Sequence, residues 1–353
     1  MKSDFKNFPG SLTSNVSLAP FTTLGVGGTA RFFIEAHTEK DIEDAIAFAR
    51  QHALPLFTFG GGSNILVPDA GIEGVVLKMT LRDIKIEEDG ESILLDAGAG
   101  APWEEVVDRA GARGIFGIEN LAGIPGSVGG AAVQNIGAYG AELSSVFEYA
   151  DSIDSTTGVK KRITRNEDAF AYRTSMFKKH RELIITRVAL RLAKRAVPNI
   201  AYADLNRASA EGTPLSTPLE IARAVRSIRA LKFPRSVLEG TAGSFFKNPV
   251  VPSELADSLA RRFPGLPIFP QEEGRVKLSL AWLLDHALSL KGFTRGQVRL
   301  YEKQPLVIVA RAGALAADVD ALAALVAERV FIATGIRIER EVETFGAKVI
   351  HTS

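Results

Sequence analysis

The chain has 353 residues, of which 46% are hydrophobic and 24% are charged, a balance that is typical of folded globular proteins and excludes a largely disordered chain. At roughly 100–200 residues per domain, this length predicts two or three domains. The 42 Lys and Arg residues nearly balance the 41 Asp and Glu residues, so the chain lacks the basic excess of most nucleic-acid-binding proteins, and its lack of cysteine excludes disulfides and thiolate-ligated metals.

Strand-like and helix-like segments alternate in the first part of the chain. Residues 29–36 are predicted to form a strand, and Thr38 is predicted to cap a helix whose apolar residues recur at helical spacing. The next predicted elements are strands at 54–59, 74–79 and 92–97 and a helix at 102–112. This mixture indicates an α+β or α/β fold.

The rest of the chain continues the mixture of elements. Residues 147–193 are mainly strand-like, and residues 198–218 are polar and turn-rich, so we expect an ordered loop there that carries Tyr202. The remaining predicted elements are helices at 219–231, 253–263, 279–290 and 317–334 and strands at 306–310 and 336–342.

Signals for targeting and for metals are weak. No stretch approaches the ~18 uninterrupted apolar residues of a membrane span, and residues 1–12 contain no apolar secretory signal. The five histidines are scattered and form no metal-binding motif. We therefore expect a cytoplasmic protein with no metal site, no membrane insertion and no nucleic-acid partner.

A run of glycines follows the predicted strand at 54–59. Gly60, Gly61 and Gly62 can leave their N–H groups free to point in one direction, and Ser63 and Asn64 add hydroxyl and amide donors. This pattern favours a cradle for a pyrophosphate, with a tight turn as the alternative. A second glycine cluster covers 123–131 and continues into 134–140, and two clusters suggest a dinucleotide such as FAD.

Two motif matches lack the context that they require. Residues 25–30 (GVGGTA) satisfy the dinucleotide pattern G-x-G-x-x-A, but a strand is predicted after them where that motif needs a helix. Ser244 and Lys247 form S-x-x-K, but the S-D-N and K-T-G motifs of penicillin-recognising acyl-enzymes are missing. The 243–249 segment is more plausible as a donor and cation cluster for an anionic substrate, with a surface turn as the alternative.

Arg173 and Glu341 are ambiguous by themselves. In the predicted strand at 336–342, Glu341 shares a face with other charged residues, which usually indicates exposure to solvent. Lys232 falls at the end of a predicted helix, where a cation complements the helix dipole. Local spacing therefore leaves a structural role open for all three.

Five segments together resemble the bacterial family of UDP-N-acetylenolpyruvoylglucosamine reductases (UDP-N-acetylmuramate dehydrogenases), flavoenzymes that make the muramate unit of peptidoglycan. They are GGGSNIL (60–66), IPGSVGG with QNIGAYG (124–140), AYRTSMF (171–177), AGSFFKNP (242–249) and EREVETFG (339–346). The resemblance runs from about Thr22 to Gly346. Tyr202 and the segment 248–291 are similar to the longer subtype, which closes a tyrosine over the substrate.

The resemblance implies an α+β fold with a two-part FAD-binding region of the vanillyl-alcohol-oxidase (PCMH) type and a smaller α+β substrate-binding domain. The implied domains are 1–75, 76–232 and 233–353, with the last strand returning to the active site. Noncovalent FAD is expected. The implied cofactor-binding residues are Gly60, Gly61, Gly62, Ser63, Asn64, Ile65, Leu66, Gly123, Ile124, Pro125, Gly126, Ser127, Gly129, Gly130, Asn135, Gly137, Ala138 and Tyr139.

The activity implied is NADPH-dependent reduction of UDP-N-acetylglucosamine enolpyruvate to UDP-N-acetylmuramate. Arg173 and Glu341 match the positions that stabilise the enolate-like intermediate, and Ser244 matches the proton donor. The implied substrate-binding residues are Tyr202, Arg229, Lys232, Asn248 and Gln304. A monomer is expected. A flavoenzyme with another substrate and a noncatalytic nucleotide-binding protein are the competing hypotheses.

Overall fold

The computed structural model describes residues 12–234 and 239–346, which form two compact units. Within this part of the chain, the first unit consists of residues 12–16, 30–62 and 72–229, and the second of residues 17–29, 63–71, 230–234 and 239–346. The three-part division at 75/76 and 232/233 stays a prediction. The helices are Glu39–Gln51, Trp103–Ala112, Val128–Gln134, Met176–Lys179, Ala203–Ala210, Pro218–Lys232, Ser253–Arg262, Leu280–Trp282 and Ala316–Thr334.

The first unit contains two larger sheets and a small hairpin. One sheet has the order Leu12–Ser17, Thr29–Ala36, Ile72–Met79, Leu56–Phe59, and its last three strands are parallel. The other is antiparallel, in the order Lys160–Thr164, Phe147–Asp154, Leu183–Ala193, Ser92–Gly98, Ile84–Asp89. The hairpin pairs Gly137–Ala138 with Ala141–Glu142. One hydrophobic core serves both larger sheets and the helices that cover them.

The second unit has its own core and smaller sheets. Its four-stranded antiparallel sheet has the order Glu239–Ser244, Gln304–Arg311, Val298–Tyr301, Thr294–Arg295. A three-stranded antiparallel sheet has the order Val250–Pro252, Arg275–Leu278, Ile268–Pro270, and Ile65–Leu66 pairs in parallel with Glu343–Thr344. Two segments from the N-terminal part of the chain therefore complete a unit built mainly from the C-terminal part.

Local sequence signals account for several of these elements. Thr38 caps the helix Glu39–Gln51 as predicted, because its side chain accepts the Asp41 N–H while the Asp41 carboxylate accepts the Thr38 N–H at 2.8 Å. The 25–30 run continues into the strand Thr29–Ala36, which confirms that no Rossmann helix follows it. Instead, the Gly28 N–H donates to the Pro68 carbonyl at 2.9 Å.

Three predicted elements were wrong or incomplete. The 198–218 segment is not only loop, because the helix Ala203–Ala210 begins directly after Tyr202. The helix expected at 279–290 is shorter and changes at Leu283–Ala287 into a π-helical turn. The third difference is at 336–342, where no strand forms.

Residues 336–342 make a single bridge, between Arg340 and Phe246. Beyond this bridge, the Glu341 carbonyl accepts from the Asn64 side chain at 3.1 Å. The extended pairing resumes only at Glu343–Thr344, against a different partner strand. Of the charged face expected in this segment, Arg337 and Glu339 are exposed, whereas Glu341 and Glu343 are half-buried.

In residues 12–234 and 239–346, no helix has the length and apolar character needed to cross a bilayer. Within the same ranges, histidines and carboxylates form no group of three or more that could hold a metal ion.

Candidate active site

The two glycine-rich segments lie against each other inside the first unit. A Cβ atom on Gly61 would lie 2.4 Å from the Gly126 Cα, and a Cβ atom on Gly60 would lie 2.9 Å from the Ser127 Oγ. Gly126 has a φ of +127°, a region that favours glycine. We call Gly60, Gly61, Gly126 and Ser127 the glycine cradle. A side chain at Gly61 would occupy the space of the glycine cradle, so only glycine fits at this position.

Charged side chains hold the first glycine of each segment. The Lys78 ammonium donates a hydrogen bond to the Gly60 carbonyl. At Gly123, the Glu104 carboxylate accepts the N–H at 2.6 Å, and the Arg229 Nε donates to the carbonyl at 3.0 Å. Both cations are partly withdrawn from water, and burial lowers the pKa of Lys78 to about 8 and the pKa of Arg229 below its usual value.

Sequence reasoning missed Lys78 and Glu104 and placed Arg229 with the sugar nucleotide. The contact with Gly123 places Arg229 beside the predicted cofactor segment. Lys78 has a sequence signal in retrospect, because it is a cation in an otherwise apolar strand, VVLKM. Glu104 has none, since an acidic residue in the first turn of a helix is common for electrostatic reasons alone.

The second glycine segment continues into a short helix. Ser127 is its N-cap and accepts the Gly130 N–H at 3.4 Å, and the helix Val128–Gln134 ends at Asn135 with a φ of +46°. The buried Asn135 side chain accepts the Ser144 N–H and donates to the Ala171 carbonyl, both at 3.0 Å. Asn135 thereby ties the glycine segment to the 171–177 segment.

Arg173 lies beside the same part of the chain. Its Nη2 donates to the Gly137 carbonyl at 2.7 Å, and its own carbonyl accepts from Lys178 at 3.2 Å. Its φ of +56° is unusual for a residue other than glycine, and a residue held in that way marks a position that the surrounding structure determines. The structure thus brings Arg173 together with Gly137, which the sequence analysis had placed at the cofactor.

Tyr202 rests on another predicted cofactor residue, Tyr139. The two rings meet edge to face with centroids 5.1 Å apart, and Tyr202 remains 44% exposed. The Asn120 Nδ2 donates to the carbonyls of Tyr139 and Asn199 at 2.8 Å each, so it ties the Tyr139 segment to the chain three residues before Tyr202. Burial raises the pKa of Tyr139 to about 12, so this phenol stays protonated at neutral pH.

Ser244 and Glu341 come together through backbone pairing in the second unit. Ser244 ends the strand Glu239–Ser244, and the buried Phe245 that follows accepts the Glu341 N–H on its carbonyl at 2.8 Å. The Asn64 Nδ2 donates to the Glu341 carbonyl at 3.1 Å, and the Asn64 carbonyl accepts the Glu343 N–H at 3.1 Å. The hydroxyl and the carboxyl group therefore stand on neighbouring segments, which the Glu341–Phe245 backbone hydrogen bond joins, and Asn64 holds the segment of Glu341.

The remaining predicted substrate residues have structural surroundings of their own. Lys232 is the last residue of the helix Pro218–Lys232. Asn248 accepts the Leu280 N–H on its Oδ1 at 3.0 Å, at the start of the short helix there. Gln304 begins the strand Gln304–Arg311 and pairs with Tyr301. Lys232, Asn248 and Gln304 belong to the second unit, as do Ser63–Leu66, Ser244 and Glu341.

Comparisons with known proteins match both parts of the chain. Residues 30–160 match a family model described as "FAD binding domain", and residues 234–345 match one described as "UDP-N-acetylenolpyruvoylglucosamine reductase, C-terminal domain". A reductase of that name from Pseudomonas aeruginosa is 39% identical, covering 94% of this chain and 98% of its own. A reductase of the same name from Shewanella baltica is 38% identical, covering 94% of this chain and 96% of its own.

A solved structure is similar over the same length. It is that of a UDP-N-acetylenolpyruvylglucosamine reductase from Thermus caldophilus, which is 26% identical, covers 95% of this chain and 98% of its own, and has a TM-score of 0.66. These matches confirm the predicted α+β fold, with an FAD-binding region of the vanillyl-alcohol-oxidase type and a substrate-binding domain.

The prediction of FAD as the cofactor is confirmed as well, because the chain is an FAD-binding flavoprotein. The glycine cradle fits this cofactor, because a bare backbone can bring N–H groups to a diphosphate that a side chain would keep away. Arg229 and Lys78 supply positive charge at the glycine segments, which suits the same anion.

Proposed function

The chain belongs to the family of UDP-N-acetylenolpyruvoylglucosamine reductases, and on that premise we propose that it reduces UDP-N-acetylglucosamine enolpyruvate to UDP-N-acetylmuramate with electrons from NADPH. The product is a precursor of peptidoglycan. We further propose that FAD is bound noncovalently and that the enzyme works as a cytoplasmic monomer whose partners are small molecules.

One observation carries the assignment of the chemistry. The hydrogen bond from the Glu341 N–H to the Phe245 carbonyl, at 2.8 Å, joins the segment that carries Ser244 to the segment that carries Glu341. Both residues lie within the region that matches the reductase C-terminal domain. A hydroxyl and a carboxyl group on adjoining segments provide the donors that reduction of an enol ether requires.

When bound, FAD would supply the hydride chemistry: it would accept a hydride from NADPH and pass it to the terminal carbon of the enolpyruvyl group. Negative charge then develops on the neighbouring carbon and its carboxylate. Arg173 stabilises this charge with its guanidinium, and Glu341 does so by hydrogen bonding when its carboxyl group is protonated. The left-handed backbone at Arg173 and its bond to the Gly137 carbonyl hold the side chain in place before the reaction.

Ser244 completes the reaction by giving its hydroxyl proton to the carbon that bears the charge. The net change is the addition of one hydride and one proton across the double bond. A register shift between Thr241 and Ser244 interrupts the ladder, which resumes where Ser244 pairs with Val307 at the end of the strand.

The diphosphate and uridine of the substrate are assigned to Tyr202, Lys232, Asn248 and Gln304. Lys232 brings a cation at the end of its helix, and Asn248 keeps an amide Nδ2 available while its Oδ1 caps the Leu280 N–H. Tyr202 is 44% exposed and can move from its contact with Tyr139 to cover a bound nucleotide. Arg229 shares in the binding of anions from its place at Gly123.

The function is tested by following the flavin in two separate half-reactions without oxygen. NADPH should bleach the yellow absorbance of the purified protein, and UDP-N-acetylglucosamine enolpyruvate should then restore it. A protein that NADPH bleaches but that this substrate leaves reduced would be a flavoenzyme with another substrate. A protein that stays yellow with NADPH would contradict the proposed electron donor, and NADH serves as the matched comparison.

A further inference from the structure

Lys78 is a cation in a strand that is otherwise mostly apolar and buried. It lies in the strand Ile72–Met79, whose residues 74–77 are all buried, and it pairs in register with Phe59, the residue before the glycine run. Its ammonium lies over the Phe59 ring, 4.9 Å from the centroid, and donates to the Gly60 carbonyl. An ammonium in such a position is fixed by its surroundings.

No carboxylate of residues 12–234 or 239–346 forms an ion pair with this ammonium. Burial is the main cause that lowers the pKa of Lys78 to about 8, Arg82 lowers it further, and Glu35 on the neighbouring strand raises it. A partly buried cation without an ion-pair partner is costly for folding. The presence of Lys78 is explained if an anionic ligand binds beside it after the chain has folded.

The hydrogen bond to Gly60 also controls the direction of a backbone donor. No cis peptide bond occurs in the described chain, so the Gly60 carbonyl and the Gly61 N–H point in opposite directions from one peptide plane. When Lys78 holds the carbonyl on the strand side, the Gly61 N–H must point away from the strand. Gly61 is also the residue whose Cβ would collide with the second glycine segment.

We propose that Lys78 is a positioning residue for FAD: its ammonium holds the Gly60–Gly61 peptide so that the Gly61 N–H faces the cofactor diphosphate, and that diphosphate is the counter-ion of the ammonium. Arg229 makes the same kind of contact with the Gly123 carbonyl. Each glycine segment thus begins at a carbonyl that a cation holds.

The proposal links FAD binding to a proton. Without FAD the pKa of Lys78 is about 8, and a nearby diphosphate raises it because the anion favours the charged form. Between about pH 8 and the higher pKa that Lys78 has in the FAD complex, binding of FAD is therefore accompanied by uptake of a proton. The affinity for FAD should fall as the pH rises above about 8, by at most about tenfold per pH unit.

The experiment measures FAD affinity of the full chain after removal of the flavin, by quenching of flavin fluorescence at about pH 7 and about pH 9.5. For Lys78→Met we expect affinity about 10- to 100-fold weaker at the lower pH, the range for the loss of a charge-assisted hydrogen bond, and little further loss at the higher pH. For Lys78→Arg, which keeps the charge but does not titrate, we expect most of the affinity and a flat pH profile.

Lys85→Met is the matched control, because Lys85 is exposed on the strand Ile84–Asp89 and its loss changes the net charge equally. It should leave both affinity and pH profile unchanged. Wild-type affinity and pH dependence in Lys78→Met would overturn the proposal. Thermal unfolding without FAD guards against a folding defect, since removal of the buried charge should leave the melting temperature equal or higher. No sugar nucleotide is used, so the outcome is independent of the reductase assignment.

Discussion

The glycine cradle and the Ser244–Glu341 region are built in opposite ways. In the cradle, we propose that backbone N–H groups bind the cofactor, and the Lys78 ammonium holds the Gly60 carbonyl from the neighbouring strand. In the Ser244–Glu341 region, backbone pairing provides the frame, and side chains are left for the chemistry. The difference indicates that added volume should damage the first region, whereas the second should tolerate small substitutions and lose only its reaction.

The largest effect is expected where volume is added to the cradle. Gly61→Ala places a Cβ atom 2.4 Å from the Gly126 Cα, so one of the two segments must move. We expect FAD affinity to fall by at least about 100-fold and the free energy of unfolding to fall by about 1–3 kcal/mol. Bound flavin per protein and thermal unfolding measure the two effects.

Gly111→Ala provides the control for Gly61→Ala. Its Cβ atom would lie 3.6 Å from the Leu219 Cα, an ordinary contact, and it lies in the helix Trp103–Ala112. We expect unchanged flavin content and stability equal or up to about 1 kcal/mol higher, because alanine favours helix. Full flavin content in Gly61→Ala would remove the distinction between the two regions.

The second prediction removes a reacting group and leaves the frame intact. In Ser244→Ala, reoxidation of the flavin by the enolpyruvyl substrate should slow by about 100-fold or more, because the proton donor is lost. Reduction by NADPH and the flavin content should stay near normal. Stopped-flow absorbance measures both half-reactions in one sample, so each serves as a control for the other. Equal slowing of both would contradict the role given to Ser244.

The third prediction concerns Asn64, which follows the glycine run but holds the Glu341 carbonyl. In Asn64→Ala we expect reoxidation to slow by about tenfold with nearly normal flavin content, because the loss of one hydrogen bond lets the Glu341 segment shift. Asn206→Ala, at an exposed amide of the helix Ala203–Ala210, should change neither. Loss of flavin as the main effect would assign Asn64 to the cradle instead.

The smallest effect is expected at Asp168, near the segment that carries Arg173. This carboxyl group is 6% exposed and accepts the Met176 N–H on its Oδ1, while its Oδ2 has no hydrogen-bond partner among the described residues. Burial raises its pKa above the ordinary 3.8. The Asp168 carboxyl group therefore binds a proton more readily in the native protein than in the unfolded chain. The free energy of unfolding falls as the pH rises from the ordinary pKa of 3.8 to the higher pKa of the native protein.

Asp168→Asn keeps the acceptor and removes the buried charge. We expect the free energy of unfolding to increase by about 1 kcal/mol at neutral pH, and the gain to disappear below about pH 3, where the wild-type carboxyl group is protonated in both states. Denaturant unfolding at both pH values measures it. A variant less stable than the wild type at neutral pH would show that Asp168 has an anionic role.

Sequence reasoning was most successful where one short segment contains the whole signal. The capping box at Thr38, the glycine run and the family segments are all local, and the elements at 29–36, 102–112 and 317–334 formed within about two residues of their predicted bounds. Two features that were missed involve partners that are distant in sequence. The Glu341 carbonyl contacts the Asn64 side chain, and the Glu104 carboxylate accepts the Gly123 N–H.

The interleaved course of the chain has a consequence for synthesis. Asp69, which is translated early, accepts the N–H groups of Ala316 and Ala317 at 2.8 and 2.9 Å and so caps the longest helix, and Ile65–Leu66 pairs with Glu343–Thr344. On the ribosome, these early segments have to wait for nearly the entire polypeptide before their partners emerge. A C-terminal piece that begins after residue 232 would lack this cap and the strand Ile65–Leu66, so we expect that it does not fold independently.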